Sequence, residues 1–320
     1  MPGLMNARAT GILCVLGAAG LFTFNDVIIK YLSGDYALHQ VILIRSSIAM
    51  TLLLAVFVPL QGGYNILHTR RLGAHVIRGL FVVITNMSFF SALAAMPLAD
   101  AVAISFISPV LITAFSVVFL GEAVGPRRWF AVVAGLLGVL IILRPGTTAF
   151  QPVALLPLLA AITYAGLNIL ARKIGATERA TTMAFYIQLT FIATSAAMGI
   201  LFGDGAMSGQ GHASIEFLFR AWIWPTAGDW PLLIVLGLFN GTAGVLIGQA
   251  YRLSEAAIVA PFEYAAVPLS VIMGVLVFGE WPDHMTWAGI ALIMGGGLYI
   301  FLREAWMNRP VAARRTTSIR

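Results

Sequence analysis

The chain has one cysteine, Cys14, in 320 residues, so neither a disulfide within the chain nor a cysteine-based metal site is available. Charge is also scarce, at 10% of residues against 60% apolar. That balance excludes an ordinary soluble domain, so the usual relation between length and domain count does not apply. The five histidines, His39, His68, His75, His212 and His284, fall between apolar runs or at their ends, and no two have metal-ligand spacing on one helix. No G-x-S-x-G elbow and no G-x-x-x-x-G-K phosphate loop occurs. Catalysis, a resident metal or cofactor, and pumping driven by ATP bound to this chain are therefore not expected. The net charge of +6 is dispersed between apolar runs and forms no patch, which argues against a nucleic-acid partner.

What the chain has in quantity is long apolar runs. They lie near 10–32, 37–60, 73–96, 98–120, 128–143, 152–172, 182–202, 230–251, 255–278 and 285–302. Each is roughly the 20 residues needed to cross a bilayer core as a helix. The fold class expected is an all-α membrane protein of ten transmembrane helices, with the lipid bilayer as its solvent. The first run follows Arg8 and has the look of a secretory signal. Its counterpart later in the chain argues that it is a permanent span.

That counterpart is part of an internal duplication. Ala18 to Lys30 aligns with Ala160 to Arg172, pairing Asp26 with Asn168 and Lys30 with Arg172. Pro97 to Glu122 aligns with Arg252 to Glu280, pairing Asp100 with Glu255 and Gly121-Glu122 with Gly279-Glu280. Trp129 pairs with Trp287, and Gly138 with Gly296. Five helices per copy is an odd number, so the two copies must run in opposite directions through the membrane. Inverted repeats of this kind are a common plan for secondary transporters. The expected division is 9–144, 152–303 and a basic cytoplasmic tail, 304–320.

Charge sets the orientation. With the N-terminus cytoplasmic, all of the nineteen Lys and Arg except Lys30, Arg45, Arg144 and Arg220 lie on the inner side. The positive-inside rule then puts both termini in the cytoplasm, and the setting expected is a bacterial inner membrane. The long stretch 203–229 contains F-L-F-R-A-W-I-W-P, whose Trp222 and Trp224 suit an interfacial helix on the outer surface or a lid over the outer mouth.

Few polar groups remain inside the spans, and each is a candidate. Glu263, in A-P-F-E-Y, is a carboxylate well within the ninth run. A charge at that depth faces protein or a water-filled cavity. Tyr264 beside it adds an aromatic face and a hydroxyl, which suits a cationic or heteroaromatic solute. Asp26 and Lys30 stand four apart on one face of the first run. Lys30 is close enough to the run's end to snorkel. Asp26 either pairs with Lys30 or with Arg45 of the second run, or faces the cavity and reads a substrate cation or a proton. The buried amides Asn86, Asn168, Gln188 and Asn240 serve as interhelical glue or cavity lining. Gly135, Gly138, Gly289 and Gly295 to Gly297 suit close packing of the fifth and tenth runs, or a homodimer face. Glu122 and Glu280 read as marks of the repeat.

These motifs resemble the drug/metabolite transporter superfamily in its EamA-type branch. The resemblance rests on Met96 to Pro109, M-P-L-A-D-A-V-A-I-S-F-I-S-P, on L-G-E at Leu120, R-P-G at Arg144, Ala250 to Tyr264, and F-G-E at Phe278. It covers nearly the whole chain. It implies two inverted five-helix repeats around a central cavity and alternating access for a small-molecule substrate. The A-P-F-E-Y segment is similar to that of members that take up S-adenosylmethionine, whose sulfonium and ammonium charges Glu263 and Asp26 would suit. Protons are a conceivable coupling ion. The rival expectations are an exporter of amino acids, metabolites or drugs and, from other classes, an intramembrane enzyme or a passive channel.

Overall fold

The computed structural model describes the chain apart from residues 1, 61, 122–124, 149–150, 175–179, 210, 254–259 and 307–320. Glu122, Glu255 and most of the basic tail lie outside the described residues. Those described form helices and connecting segments, with no strand among them. The helices are α1 (Pro2–Leu32), α2 (Leu38–Leu60), α3 (Leu72–Leu93), α4 (Leu98–Ser105), α5 (Ser108–Leu120), α6 (Pro126–Leu143), α7 (Leu155–Ile174), α8 (Ala180–Phe202), α9 (Ala213–Phe219), α10 (Trp230–Leu253), α11 (Ala266–Phe278) and α12 (His284–Trp306). Seven spans among the described residues are long and apolar enough to cross a membrane. The α4–α5 pair counts as one of these, and Val132–Leu143 and Phe262–Phe278 are shorter apolar helices.

Proline and glycine set the irregularities. Pro59 has no N–H to give and its ring crowds the preceding turn. The helix widens there into a π-turn over Leu53–Phe57. Ser108-Pro109 restarts a helix after the break at Phe106 and Ile107. Ahead of α11, the segment Ala260–Ala265 is a 3-10 turn containing Pro261. Gly279 takes φ 68°, and the N–H groups of Gly279 and Glu280 close the end of α11 on the carbonyls of Val275 and Gly274. Gly121 caps α5 with φ 66°.

α1 packs on α10, α3 on α7, α2 on α8 and α10, and α6 on α12. The α6–α12 contact is a backbone approach in which a Cβ on Gly138 would stand 2.8 Å from the Gly289 carbonyl. These two glycines therefore serve packing within one chain. Apolar side chains on α3 and α6 face outward, among them Val76, Ile77, Leu80, Phe130, Val133 and Leu137. Lipid is the solvent that makes such a surface stable.

Candidate functional site

The polar residues inside the spans separate into three groups. The first centres on Arg45 in α2, which is 1% exposed. Its Nη2 donates to Asn86 Oδ1 of α3 at 3.1 Å and its Nη1 to Asn25 Oδ1 of α1 at 3.4 Å. Its guanidinium carbon lies 5.3 Å from the Phe90 ring centroid and 5.6 Å from that of Phe191. Asn25 Nδ2 donates to Asp26 Oδ1 at 3.1 Å, and Asp26 and Arg45 interact electrostatically. Asp26 is half-buried and interacts electrostatically with Arg45, without a hydrogen bond or ion pair between them among the described residues. Asn86 serves this group by orienting the guanidinium.

Lys30 belongs to a second group, at the end of the bundle where α1, α3, α6 and α11 finish. Its Nζ stands 2.7 Å from Glu280 Oε1 and donates to the Met96 carbonyl at 2.6 Å. The Phe278 ring lies 5.1 Å away. The second oxygen of Glu280 accepts the Leu98 N–H at 2.9 Å. One ion pair thereby joins α1, the α3–α4 turn and the α11–α12 turn. Lys30 neither snorkels freely nor pairs with Asp26, because a carboxylate and a carbonyl from other elements already saturate it.

The same end carries the stretch 203–229. Its helix, α9, stops at Phe219, and residues 220–226 run without helix. The expected helical pairing of Trp222 and Trp224 gives way to a strap, because the backbone there is bonded to its neighbours. Arg220 Nη1 donates to Ser33 O at 2.9 Å, Gln40 Nε2 to Ile223 O at 2.5 Å, and Tyr36 Oη to Asp229 Oδ2 at 2.6 Å. Trp222 turns inward, its Nε1 donating to His39 Nε2 at 3.1 Å and its ring lying on Gly199. Trp224 turns outward and is 84% exposed.

The third group lies toward the opposite end. Glu263 is half-buried in the 3-10 turn and interacts electrostatically with Tyr164 of α7 and with Tyr264. Tyr264 is 2% exposed, its ring 5.5 Å from Phe106, and its hydroxyl has no hydrogen-bond partner among the described residues. Tyr164 is 40% exposed, and its carbonyl accepts from Asn168 Nδ2 at 2.8 Å. Asn168 thus sits with Glu263's neighbours and apart from Asp26. Helix rise puts Asp26 about 9 Å from Leu32 and Glu263 about 22 Å from Phe278, at the same end. The two carboxylates therefore sit at different depths. Tyr164 was legible as the residue one turn before Asn168, and Asn25 as the neighbour of Asp26. The partnership of Lys30 with Glu280 had no local signal.

Buried charge compensated between helices, buried amides and an apolar exterior define a multi-pass membrane protein. The chain belongs to the EamA-like transporter family, whose model matches residues 9–144 and again 151–302. The family is one of transporters and not of enzymes. The chain is 26% identical to a riboflavin transporter of Brucella anthropi over 92% of its own length and 99% of that protein's. It is 28% identical to an S-adenosylmethionine uptake transporter of Rickettsia prowazekii over 95% and 96%. A pseudopaline exporter of Pseudomonas aeruginosa is 26% identical over 91% and 95%. One solved crystal structure matches with a TM-score of 0.64 at 22% identity, covering 94% of this chain and 100% of its own, a likeness of fold alone.

Proposed function

We propose that the protein is a secondary transporter of a small polar or cationic metabolite, with S-adenosylmethionine-like uptake as the leading substrate reading. It works by alternating access between two inverted five-helix repeats, 9–144 and 152–303. It sits in a bacterial inner membrane with both termini cytoplasmic. Glu263 with Tyr164 and Tyr264 forms the recognition site, an acid among phenols that suits a cation with an aromatic or heteroaromatic body. Proton coupling through Glu263 is the companion proposal.

The observation that carries the reading is the half-buried Glu263 at the start of the apolar helix Phe262–Phe278, with accessible aromatic surface beside it. The packing supports the repeats. Exchanging each span with the one five later turns the α1–α10 contact into α7–α3, and maps α2–α8 and α6–α12 onto themselves. A two-fold arrangement of that sort suits rocking of one repeat against the other. In that reading the Lys30–Glu280 end is closed, and it must part for the site to reach that side.

Melting the purified, detergent-solubilised protein with S-adenosylmethionine, riboflavin, amino acids, purines and polyamines tests the substrate. Binding at 100 times the dissociation constant stabilises by about 2.7 kcal/mol. Glu263→Gln should lower uptake at least about tenfold while leaving the folded yield unchanged, since it removes a charge and keeps the shape. Uptake by this variant at the wild-type rate would remove Glu263 from the site. Stabilisation by neutral or anionic compounds alone would reassign the carboxylate to coupling or structure.

A further inference from the structure

The bundle holds a second buried guanidinium, and its surroundings are unlike those of Arg45. Arg78 lies about 9 Å into α3 from Leu72, at the end opposite Lys30, and is 6% exposed. Its Nε and Nη1 have no hydrogen-bond partner among the described residues, and no described carboxylate forms an ion pair with it. A guanidinium taken out of water without an anion or acceptors costs several kcal/mol. Arg45 meets that cost with Asp26, two amide oxygens and two rings; Arg78 meets it with nothing described.

The neighbours of Arg78 along α3 show where it points. His75 stacks on Tyr186 of α8 at 4.4 Å, and a Cβ on Gly79 would collide with Thr190 of α8. Toward α7, Phe81 packs on Gly166, and the hydroxyls of Thr85 and Thr163 share a hydrogen bond of 2.7 Å. Arg78 stands between these two directions, in the wedge between α7 and α8. Val76, Ile77 and Leu80, each at least half exposed, occupy the opposite side of α3. The guanidinium therefore faces the bundle interior and not the lipid. Arg71, exposed at the start of α3, is seven residues earlier and on the same face. Arg71, His75 and Arg78 thus lead inward from the surface, a line of cationic and imidazole groups that attracts anions toward the interior.

We propose that Arg78 is an anion-recognition site that takes the carboxylate or phosphate group of a solute entering from the end opposite Lys30. The free Nε–H and Nη1–H lie on different edges of the planar guanidinium, and each can donate to an oxygen of either group. This rests on the transporter reading only in that a solute reaches the bundle interior. It narrows the substrate class: a molecule that meets both Glu263 and Arg78 carries charges of both signs.

The test uses inorganic phosphate and acetate as probes, against chloride at constant ionic strength, and follows thermal unfolding of the full-length protein in neutral detergent. The wild type should be stabilised by both anions, and Arg78→Gln should lose that stabilisation with an apparent affinity at least about tenfold weaker. Arg70→Gln, an exposed arginine outside that line, should retain most of it. Equal stabilisation of wild type and Arg78→Gln would place the anion on the surface arginines and overturn the proposal. Stabilisation by added phosphatidylglycerol, with none by the soluble anions, would make the occupant a lipid headgroup and also overturn it. Should Arg78→Gln not fold, Arg78→Lys keeps the charge without the fork and should show weakened phosphate binding; an unchanged response would count against the site. Uptake of a neutral solute, measured in parallel, distinguishes failure of this site from failure of the transporter reading.

Discussion

The two ends of the bundle are held by different means. At the Lys30 end the described contacts are ionic and cross many elements: Lys30 with Glu280, Arg144 with Asp283, and the 203–229 strap on Ser33, Tyr36 and Gln40. At the opposite end the described contacts include hydrogen bonds from side chains to backbone carbonyls. There Thr182 donates to Ile66 O at 2.5 Å and Tyr186 to Leu67 O at 3.2 Å, joining α8 to the α2–α3 connection. Ion pairs between separate helices can be exchanged for water without unfolding a helix, so they suit an end that opens and closes.

The strongest way to break the comparison is to exchange the charges of α1. Asp26→Lys with Lys30→Asp preserves composition and would be neutral if these two residues faced each other. In the structure it sets an ammonium beside Arg45 and a carboxylate beside Glu280, two like-charge encounters in low dielectric. The variant should leave little monodisperse protein after extraction into detergent. Wild-type yield from it would mean that Asp26 and Lys30 pair with each other.

Removing one member of the Lys30–Glu280 pair is the next largest effect. Glu280→Ala leaves Lys30, whose side chain is 10% exposed, with the Met96 carbonyl and the weaker electrostatic influence of Asp100. It should cost about 3 kcal/mol in mixed-micelle unfolding, whereas Lys30→Leu with Glu280→Leu should regain most of that loss. Lys30→Glu with Glu280→Lys should not restore the wild type. The backbone partners are specific in sign, a carbonyl at Met96 and an N–H at Leu98, and the exchange would set each against a like dipole. Full recovery by the exchange would show that charge alone holds this end.

The strap is sharpened by Gly199, where any side chain would occupy the place of the Trp222 ring. Gly199→Val should cost about 2 kcal/mol through overpacking. It should also free Arg220, the one tryptic site between 203 and 229, from Ser33. Limited trypsin digestion then cuts at Arg220 sooner than in the wild type. An unchanged digestion rate would mean that the strap does not depend on Trp222.

Seven of the ten runs expected to span are long apolar helices among the described residues, because an apolar run long enough to cross lipid has few other uses. The breaks near Pro59, Pro109 and Pro261 have a physical reason that spacing did not call attention to, since proline lacks the N–H that a continuous helix needs. The groups of polar residues were harder to read. Asp26 and Lys30 are neighbours on one helix face, and local spacing invites a pair. Their actual partners, Arg45 and Glu280, come from helices far along the chain, and nothing in the spacing encodes them. Glu280 was legible as a mark of the repeat but not as the counter-ion of Lys30, for the same reason. Trp222 and Trp224 look alike in an aromatic, interfacial string. Only the absence of a side chain at Gly199 draws one inward while the other stays out.

The smallest expected effect concerns pH at the Lys30 end. Partial burial tends to raise the Asp283 carboxyl, but Arg144 and the Thr286 N–H, at 2.8 Å, outweigh it and hold the group at about 2 against an ordinary 3.8. A carboxylate depressed in the folded state stabilises fully above its unfolded pKa and loses that contribution as pH falls through the folded one. The Arg144–Asp283 contact should therefore persist down to about pH 4 and fade toward pH 2. Its side chains are 27% and 44% exposed, so water and salt screen it and the loss should be slight. Comparing the acid dependence of unfolding in wild type and Asp283→Asn isolates this contribution. A difference confined to the window between about 4 and 2 fits the pair. One centred near neutral pH would mean that a different group at this end titrates instead.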